Sequence, residues 1–124
     1  MIQHEAIEQQ HLFQWATFMS GRYPELRYLY HIPNGGSRNK KEAVNLKRQG
    51  VRAGVPDLDL PVARKGYHGL RIEMKYGSNR PTKEQREWLG FLKDQGYATA
   101  VCYSWQDAVS VICRYLDIRE SGIT

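Results

Sequence analysis

Gly54-Val-Pro-Asp-Leu-Asp-Leu60 and Gly69-Leu-Arg-Ile-Glu-Met-Lys75 are the two stretches on which the fold turns. From Asp57 to Val62 acidic and apolar residues alternate, the period of a strand with one face on a core. A second strand is expected over His68 to Lys75, after a loop from Ala63 to Tyr67. A hairpin folded symmetrically about Lys65 pairs residues whose numbers add to 130, which puts Asp57 opposite Glu73. Strand side chains alternate between faces, so Glu73 and Lys75 project to one side while Ile72 and Met74 enter the core. Asp57, Glu73 and Lys75 are thereby gathered at one end of a sheet. Asp59 shares the face of Asp57 one pleat away and is a secondary candidate.

Upstream, Leu26 to Ile32 is rich in aromatic and branched residues and reads as a strand, followed by a turn at Pro33-Asn34-Gly35-Gly36. A helix is expected from about Arg38 to Gln49, with Ser37 as N-cap and Gly50 as C-terminal glycine. Residues 4 to 20 form an earlier helix, with Leu12, Trp15, Ala16 and Met19 on one stripe. Downstream, Thr82-Lys-Glu-Gln85 has the spacing of a capping box and opens a helix carrying Trp88, Leu89 and Leu92 that stops at Gly96. Tyr97 to Tyr103 is a further strand. Ser104 caps the last helix, whose Trp105, Ala108, Val109, Ile112, Cys113 and Leu116 repeat at helical spacing. The order is αβαββαβα. This is a single α/β domain over residues 1–124, a mixed central sheet flanked by helices.

With 124 residues, 41% apolar and 25% charged, the composition is that of an ordinary soluble domain. No apolar run approaches the ~18 residues of a membrane span. The N-terminal segment lacks the basic start and apolar stretch of a secretory signal, which implies a cytoplasmic address. Cys102 and Cys113 lie far apart in the chain with no metal-binding spacing, and both read as small core residues. The net charge of +5 is concentrated: Arg38, Lys40, Lys41, Lys47, Arg48 and Arg52 face only Glu42 between Asn34 and Arg52. Such a segment attracts phosphate backbones, although a solvated helix face accounts for the charge equally well.

Two acids held close repel, and a raised pKa, a salt bridge or a bound cation relieves the repulsion. Hard divalent ions take one or two carboxylates together with water and a substrate phosphate, a role that suits Asp57 and Glu73. There the ion would activate a water and stabilise charge on the phosphorus oxygens, with Lys75 positioning the water or neutralising the transition state. An isolated Glu-x-Lys is commonplace, and a solvent-exposed hairpin face is the plain alternative. Pro-Asp at a spacing that meets Glu-x-Lys, with a cation-rich helix just upstream, points instead to phosphodiester chemistry. Two further readings are a nucleic-acid-binding module that does not cut, and an interaction protein using Tyr28, Tyr30, Tyr67 and Trp105 at a partner surface.

Pro56-Asp57 followed by Glu73-Met-Lys75 resembles the PD-(D/E)XK nuclease signature. Together with Glu8-Gln9, Ile32-Pro-Asn-Gly-Gly36, Gly50-Val-Arg-Ala-Gly-Val-Pro-Asp57, Ile72-Glu-Met-Lys75 and the Gln85 to Trp88 segment, it resembles the stand-alone VRR-NUC domain over residues of about 5 to 116. The resemblance implies a restriction-endonuclease-like fold and a magnesium- or manganese-dependent nuclease, often bacterial or phage-encoded. Relatives act on branched DNA such as Holliday junctions, and small members work as homodimers, for which exposed aromatics outside the helical stripes, such as Tyr67 or Tyr115, are candidate contacts. By position it implies metal-binding acids at Glu8, Asp57 and Glu73, a lysine at Lys75 and a helical glutamine at Gln85.

The residues support these roles unevenly. Glu8 falls inside the apolar stripe of the first helix, a costly place for an unpaired carboxylate, and Glu5 is its rival. For Gln85 the capping box is an equal explanation. Asn34 could hold a phosphate, but asparagine before glycine is also ordinary turn chemistry. His4, His11, His31 and His68 show no metal-ligand spacing and read as surface or turn residues.

Overall fold

The computed structural model describes residues 3–33 and 39–119. Its elements are α1 (Gln3–Met19), a 3-10 turn (Pro24–Tyr28), β1 (Tyr30–His31), α2 (Lys40–Arg48), β2 (Leu58–Leu60), β3 (Leu70–Met74), α3 (Lys83–Asp94), β4 (Ala98–Cys102) and α4 (Trp105–Leu116). Four helices surround one mixed sheet of strand order β1-β2-β3-β4, the architecture expected. The first three strands are antiparallel neighbours, and β3 and β4 are parallel, as a strand–helix–strand crossover through α3 requires.

The strand pairing is the one expected of a hairpin folded about Lys65. Leu58 pairs with Ile72, Asp59 with Arg71 and Leu60 with Leu70, each pair adding to 130. The turn itself is asymmetric. Lys65 and Gly66 take positive φ, at 54° and 85°, in a two-residue turn closed by Arg64 and Tyr67, whose numbers add to 131. The extra residue is absorbed at Pro61-Val62, where proline cannot donate to the ladder and the Val62 N–H turns back to the Leu60 carbonyl at 2.8 Å. That local bulge restores the register which carries Asp57 toward Glu73.

Leu58, Leu60, Leu70, Ile72 and Met74 form one face of the sheet and pack with Leu12, Trp15, Ala16 and Met19 of α1 and with Ala108, Val109, Ile112, Cys113 and Leu116 of α4. Both apolar stripes are thus core, as their spacing indicates, and both cysteines are buried and free. The caps at Thr82 and Ser104 form as expected, and Gly50 and Gly96 take positive φ beyond α2 and α3. Among the described residues no helix is long and apolar enough to cross a membrane.

Three expectations change. Leu26 to Ile32 is a strand only at Tyr30 and His31, because Pro24 opens a 3-10 turn whose Leu26, like Leu29 beyond it, points into the core at a spacing of three. The second helix starts later than Arg38. Asn39 is its N-cap, accepting from the N–H groups of Lys41 and Glu42, in place of the expected Ser37, which lies outside the described residues. Tyr115, expected to be an exposed contact because it falls outside the apolar stripe, is instead buried, with its hydroxyl donating to the Val62 carbonyl.

Candidate active site

The face of β3 opposite the apolar core carries Arg71, Glu73 and Lys75, and all three are buried, Glu73 to 2% exposure. This rules out the plain alternative of a solvated Glu-Lys face. A buried ionisable row is costly unless each member finds a partner. Arg71 lies 3.8 Å from Asp59, which also accepts the Tyr30 hydroxyl at 2.6 Å, so Asp59 is engaged in a structural cluster beside the site. Lys75 Nζ lies 3.5 Å from Glu73 Oε2. Glu73 Oε1 is buried and receives no hydrogen bond from an N–H donor, and the Glu73 carboxyl shares a side-chain hydrogen bond with Asp57.

Asp57 enters from the residue before β2. One further step of the 130 register sets it across from Glu73, and its Oδ2 accepts the Met74 backbone N–H at 2.8 Å. Its carbonyl accepts the Ile32 N–H at 2.7 Å and lies 3.1 Å from His31 Nδ1. The approach to Asp57 is held by Gly54, at φ +90°, where a Cβ would meet the backbone of Glu84 in α3 at 2.8 Å. Only glycine allows that contact, which fixes the Gly50–Asp57 segment against the first turn of α3.

The electrostatics follow from this burial. The Asp57 carboxyl is raised above its ordinary value, first by desolvation, with the Met74 N–H, His31 and Lys75 opposing. Glu73 is pushed up to about 8, first by burial and then by the charge of Asp57, with Lys75 opposing. Two carboxyls and an ammonium therefore share a pocket that disfavours the second negative charge.

The other candidates are placed as follows. Glu8 Oε1 accepts the backbone N–H of Trp105 at 2.8 Å, at the first residue of α4. The carboxylate in the α1 stripe thus has a partner, and no group of three His, Cys, Asp or Glu residues able to hold a metal forms among the described residues. Glu5 is half-buried one turn earlier. Gln85 closes the capping box, its Oε1 accepting the Thr82 N–H at 2.8 Å. Lys40, Lys41, Lys47, Arg48 and Arg52 are all exposed, and α2 buries no residue. Asn34 and Arg38 lie outside the described residues. His4, His11, His31 and His68 are exposed, as expected. Sequence reasoning did not anticipate the contact of His31 with the Asp57 carbonyl or the Arg71–Asp59 pair, because both depend on which residues meet across β1, β2 and β3.

An aspartate after proline, set against Glu-x-Lys on the next strand of a mixed sheet, is the arrangement of PD-(D/E)XK nucleases. The VRR-NUC domain model matches residues 2–106, and the chain belongs to the VRR-NUC domain family, a family of nucleases. A solved structure described as a VRR_NUC domain protein is 35% identical to the chain, covering 93% of it and 89% of its own length, with a TM-score of 0.76. No curated protein matches the chain.

Proposed function

We propose that this nuclease domain, taken as spanning residues 1–124, is a magnesium- or manganese-dependent enzyme that hydrolyses DNA phosphodiester bonds, selective for branched DNA such as Holliday junctions and active as a homodimer. The observation that carries the metal dependence is the approach of two buried carboxyls, Asp57 and Glu73, which share a side-chain hydrogen bond while Glu73 Oε1 receives none from an N–H donor. Without metal the pair is accommodated by keeping a proton on Glu73, whereas a hard cation allows both acids to ionise and takes their oxygens as ligands. Two carboxylates suffice for magnesium, whose remaining positions go to water and substrate phosphate. When bound, such an ion supplies positive charge at the phosphate and acidity toward water.

Asp57 and Glu73 hold the cation, and Glu8 is the candidate third acid from α1. Asp57 is oriented by the Met74 N–H, which leaves its carboxylate little freedom to turn away. Lys75, beside Glu73, places a buried cation where it can neutralise charge on the phosphate in flight or align the attacking water. Gln85 can contribute only through the part of its amide not used by the Thr82 cap. The exposed cations of α2 and Arg52 grip the DNA backbone, with Asn34 and Arg38 as further contacts.

The deciding experiment is a cleavage assay on a four-way junction, a flap, a linear duplex and a single strand, with magnesium, with manganese and with chelator. Cleavage that needs metal and prefers the junction is the expected result. Cleavage that survives chelation, or none on any substrate, would overturn the proposal.

A further inference from the structure

The chain leaves the catalytic strand at Lys75, whose N–H bonds the Cys102 carbonyl at 2.8 Å, and one step further along the parallel β3–β4 pair opens a cavity of about 480 Å³. It is lined by Gly77, Ser78, Arg80, Pro81, Arg86 and Tyr103. Its size is that of a small-ligand site, and it stands at the carboxyl ends of adjacent parallel strands, where open α/β sheets bind their ligands.

Two of the six lining residues are arginines and none is acidic. Arg86 is oriented by a hydrogen bond from Nη1 to the Pro81 carbonyl at 2.8 Å. Neither guanidinium forms an ion pair with an acid among the described residues. Tyr103 is 38% exposed and stacks on no other ring among them, unlike nearby Tyr76, which lies against His4 with ring centroids 4.3 Å apart. A guanidinium fork suits a phosphate, and an unstacked aromatic ring suits a base.

We infer that this cavity binds an unpaired nucleotide next to the scissile phosphate, Arg80 and Arg86 taking its phosphodiester and Tyr103 stacking on its base. The inference rests on the nuclease reading of Asp57 and Glu73 and adds a substrate preference to it. A duplex offers phosphates on a convex surface, which the exposed cations of α2 can meet. A recessed pocket with an aromatic wall takes a nucleotide only when its base has left the stack. The site therefore favours DNA with unpaired nucleotides flanking the cut, as at a branch point.

The test is fluorescence anisotropy in chelator, so that binding is read without cleavage, using a short labelled single-stranded DNA and the matching duplex. Tyr103→Leu should weaken single-strand binding by about 5- to 160-fold, the range for loss of one base–aromatic stack, and leave duplex binding within twofold. Tyr103→Phe should restore it. Arg80→Gln with Arg86→Gln should weaken single-strand binding and lower the slope of log affinity against log salt by about 1.4, as for two lost phosphate contacts. Equal effects of Tyr103→Leu on both DNAs, unchanged affinity in every variant, or a wild-type protein that does not bind the single strand would each overturn the inference. The two readings separate cleanly. Wild-type cleavage with variants that bind normally removes the pocket and keeps the nuclease, whereas the expected binding losses without cleavage in any metal remove the nuclease and keep the pocket.

Discussion

The Oδ2 of Asp57 accepts the backbone N–H of Met74 at 2.8 Å, which ties the acid preceding β2 to the residue between Glu73 and Lys75. The bond fixes the relative position of the two acids through backbone geometry. Either acid can then be replaced without removing apolar core, since Ile72 and Met74, on the other face, carry the packing.

Asp57→Ala and Glu73→Ala should each lower metal-dependent cleavage by at least about 100-fold, the usual cost of removing a group that stabilises transition-state charge, while leaving the protein folded. Lys75→Ala should lose a similar share of activity but keep metal affinity within about tenfold, a 1.4 kcal/mol limit, because it does not itself hold the cation. Turnover together with metal titration by calorimetry checks all three. Near-normal cleavage in either acid variant would sink the assignment, and a complete loss of metal binding in Lys75→Ala would show that its role is misread.

The raised pKa of Glu73 makes stability depend on pH in a definite direction. Its folded value of about 8 lies above the ordinary 4.5, so the folded protein holds this proton more tightly than the unfolded chain. The resulting stabilisation is complete below about 4.5 and is lost as pH rises through about 8. Asp57, also raised, adds in the same sense. Metal-free protein should therefore melt at a lower temperature above pH 8 than near pH 5, and Glu73→Gln should flatten the trend. Metal uptake near neutral pH should release protons, measurable by calorimetry in buffers of different ionisation enthalpy. An apparent binding enthalpy identical in all buffers would contradict the raised pKa.

Glu8 can be dissected because its contact with α4 is known. Glu8→Gln retains an oxygen to accept the Trp105 N–H but removes the charge, whereas Glu8→Ala removes both. If Glu8 is the third metal-binding acid, Glu8→Gln should melt within a few degrees of wild type and lose metal affinity by about tenfold or more, while Glu8→Ala should also be destabilised by about 1 kcal/mol, the typical cost of a lost cap. Glu5→Gln serves as the rival. Metal binding sensitive to Glu5→Gln and indifferent to Glu8→Gln would move the role one turn along α1.

Replacing Lys40, Lys41, Lys47 and Arg48 with Gln should leave the melting temperature nearly unchanged, since α2 buries no residue and surface changes usually stay within about 0.5 kcal/mol. Duplex binding at low salt should weaken, and the salt slope should flatten by up to about 3.6 if all four contact phosphate. A slope equal to that of wild type would show that α2 faces away from the DNA.

A homodimer should appear in light scattering at micromolar concentration as twice the 14.4 kDa chain mass. Two sites related by a twofold axis can address the paired strands of a symmetric junction, and doubling the chain doubles its +5 charge. Tyr67, exposed beside the β2–β3 turn, is a candidate contact, and Tyr115 is excluded by its burial. A mass of one chain with junction cleavage intact would rule out the dimer as the working unit.

The sequence alone determined which residues of β2 and β3 face the core, because alternation keeps Leu58, Leu60, Leu70, Ile72 and Met74 on one face, and a turn centred on Lys65 then sets Asp57 across from Glu73, a register the folded chain keeps only through the bulge at Pro61-Val62. It determined the two apolar helical stripes and the caps at Thr82 and Ser104 for the same reason, each being a local pattern with one inexpensive solution. The tertiary structure decided what alternation cannot state, namely what lies above the second face of the sheet. Only there does Gly54 meet Glu84, and only the folded chain buries Arg71, Glu73 and Lys75, turning a charged row into a site with a proton held up to about 8. The contact of Glu8 with Trp105 spans 97 residues, and the Arg80, Arg86 and Tyr103 cavity joins a loop, a helix and a strand end. Local periodicity carries no information about such meetings, which arise from how helices settle on a sheet once its register is set.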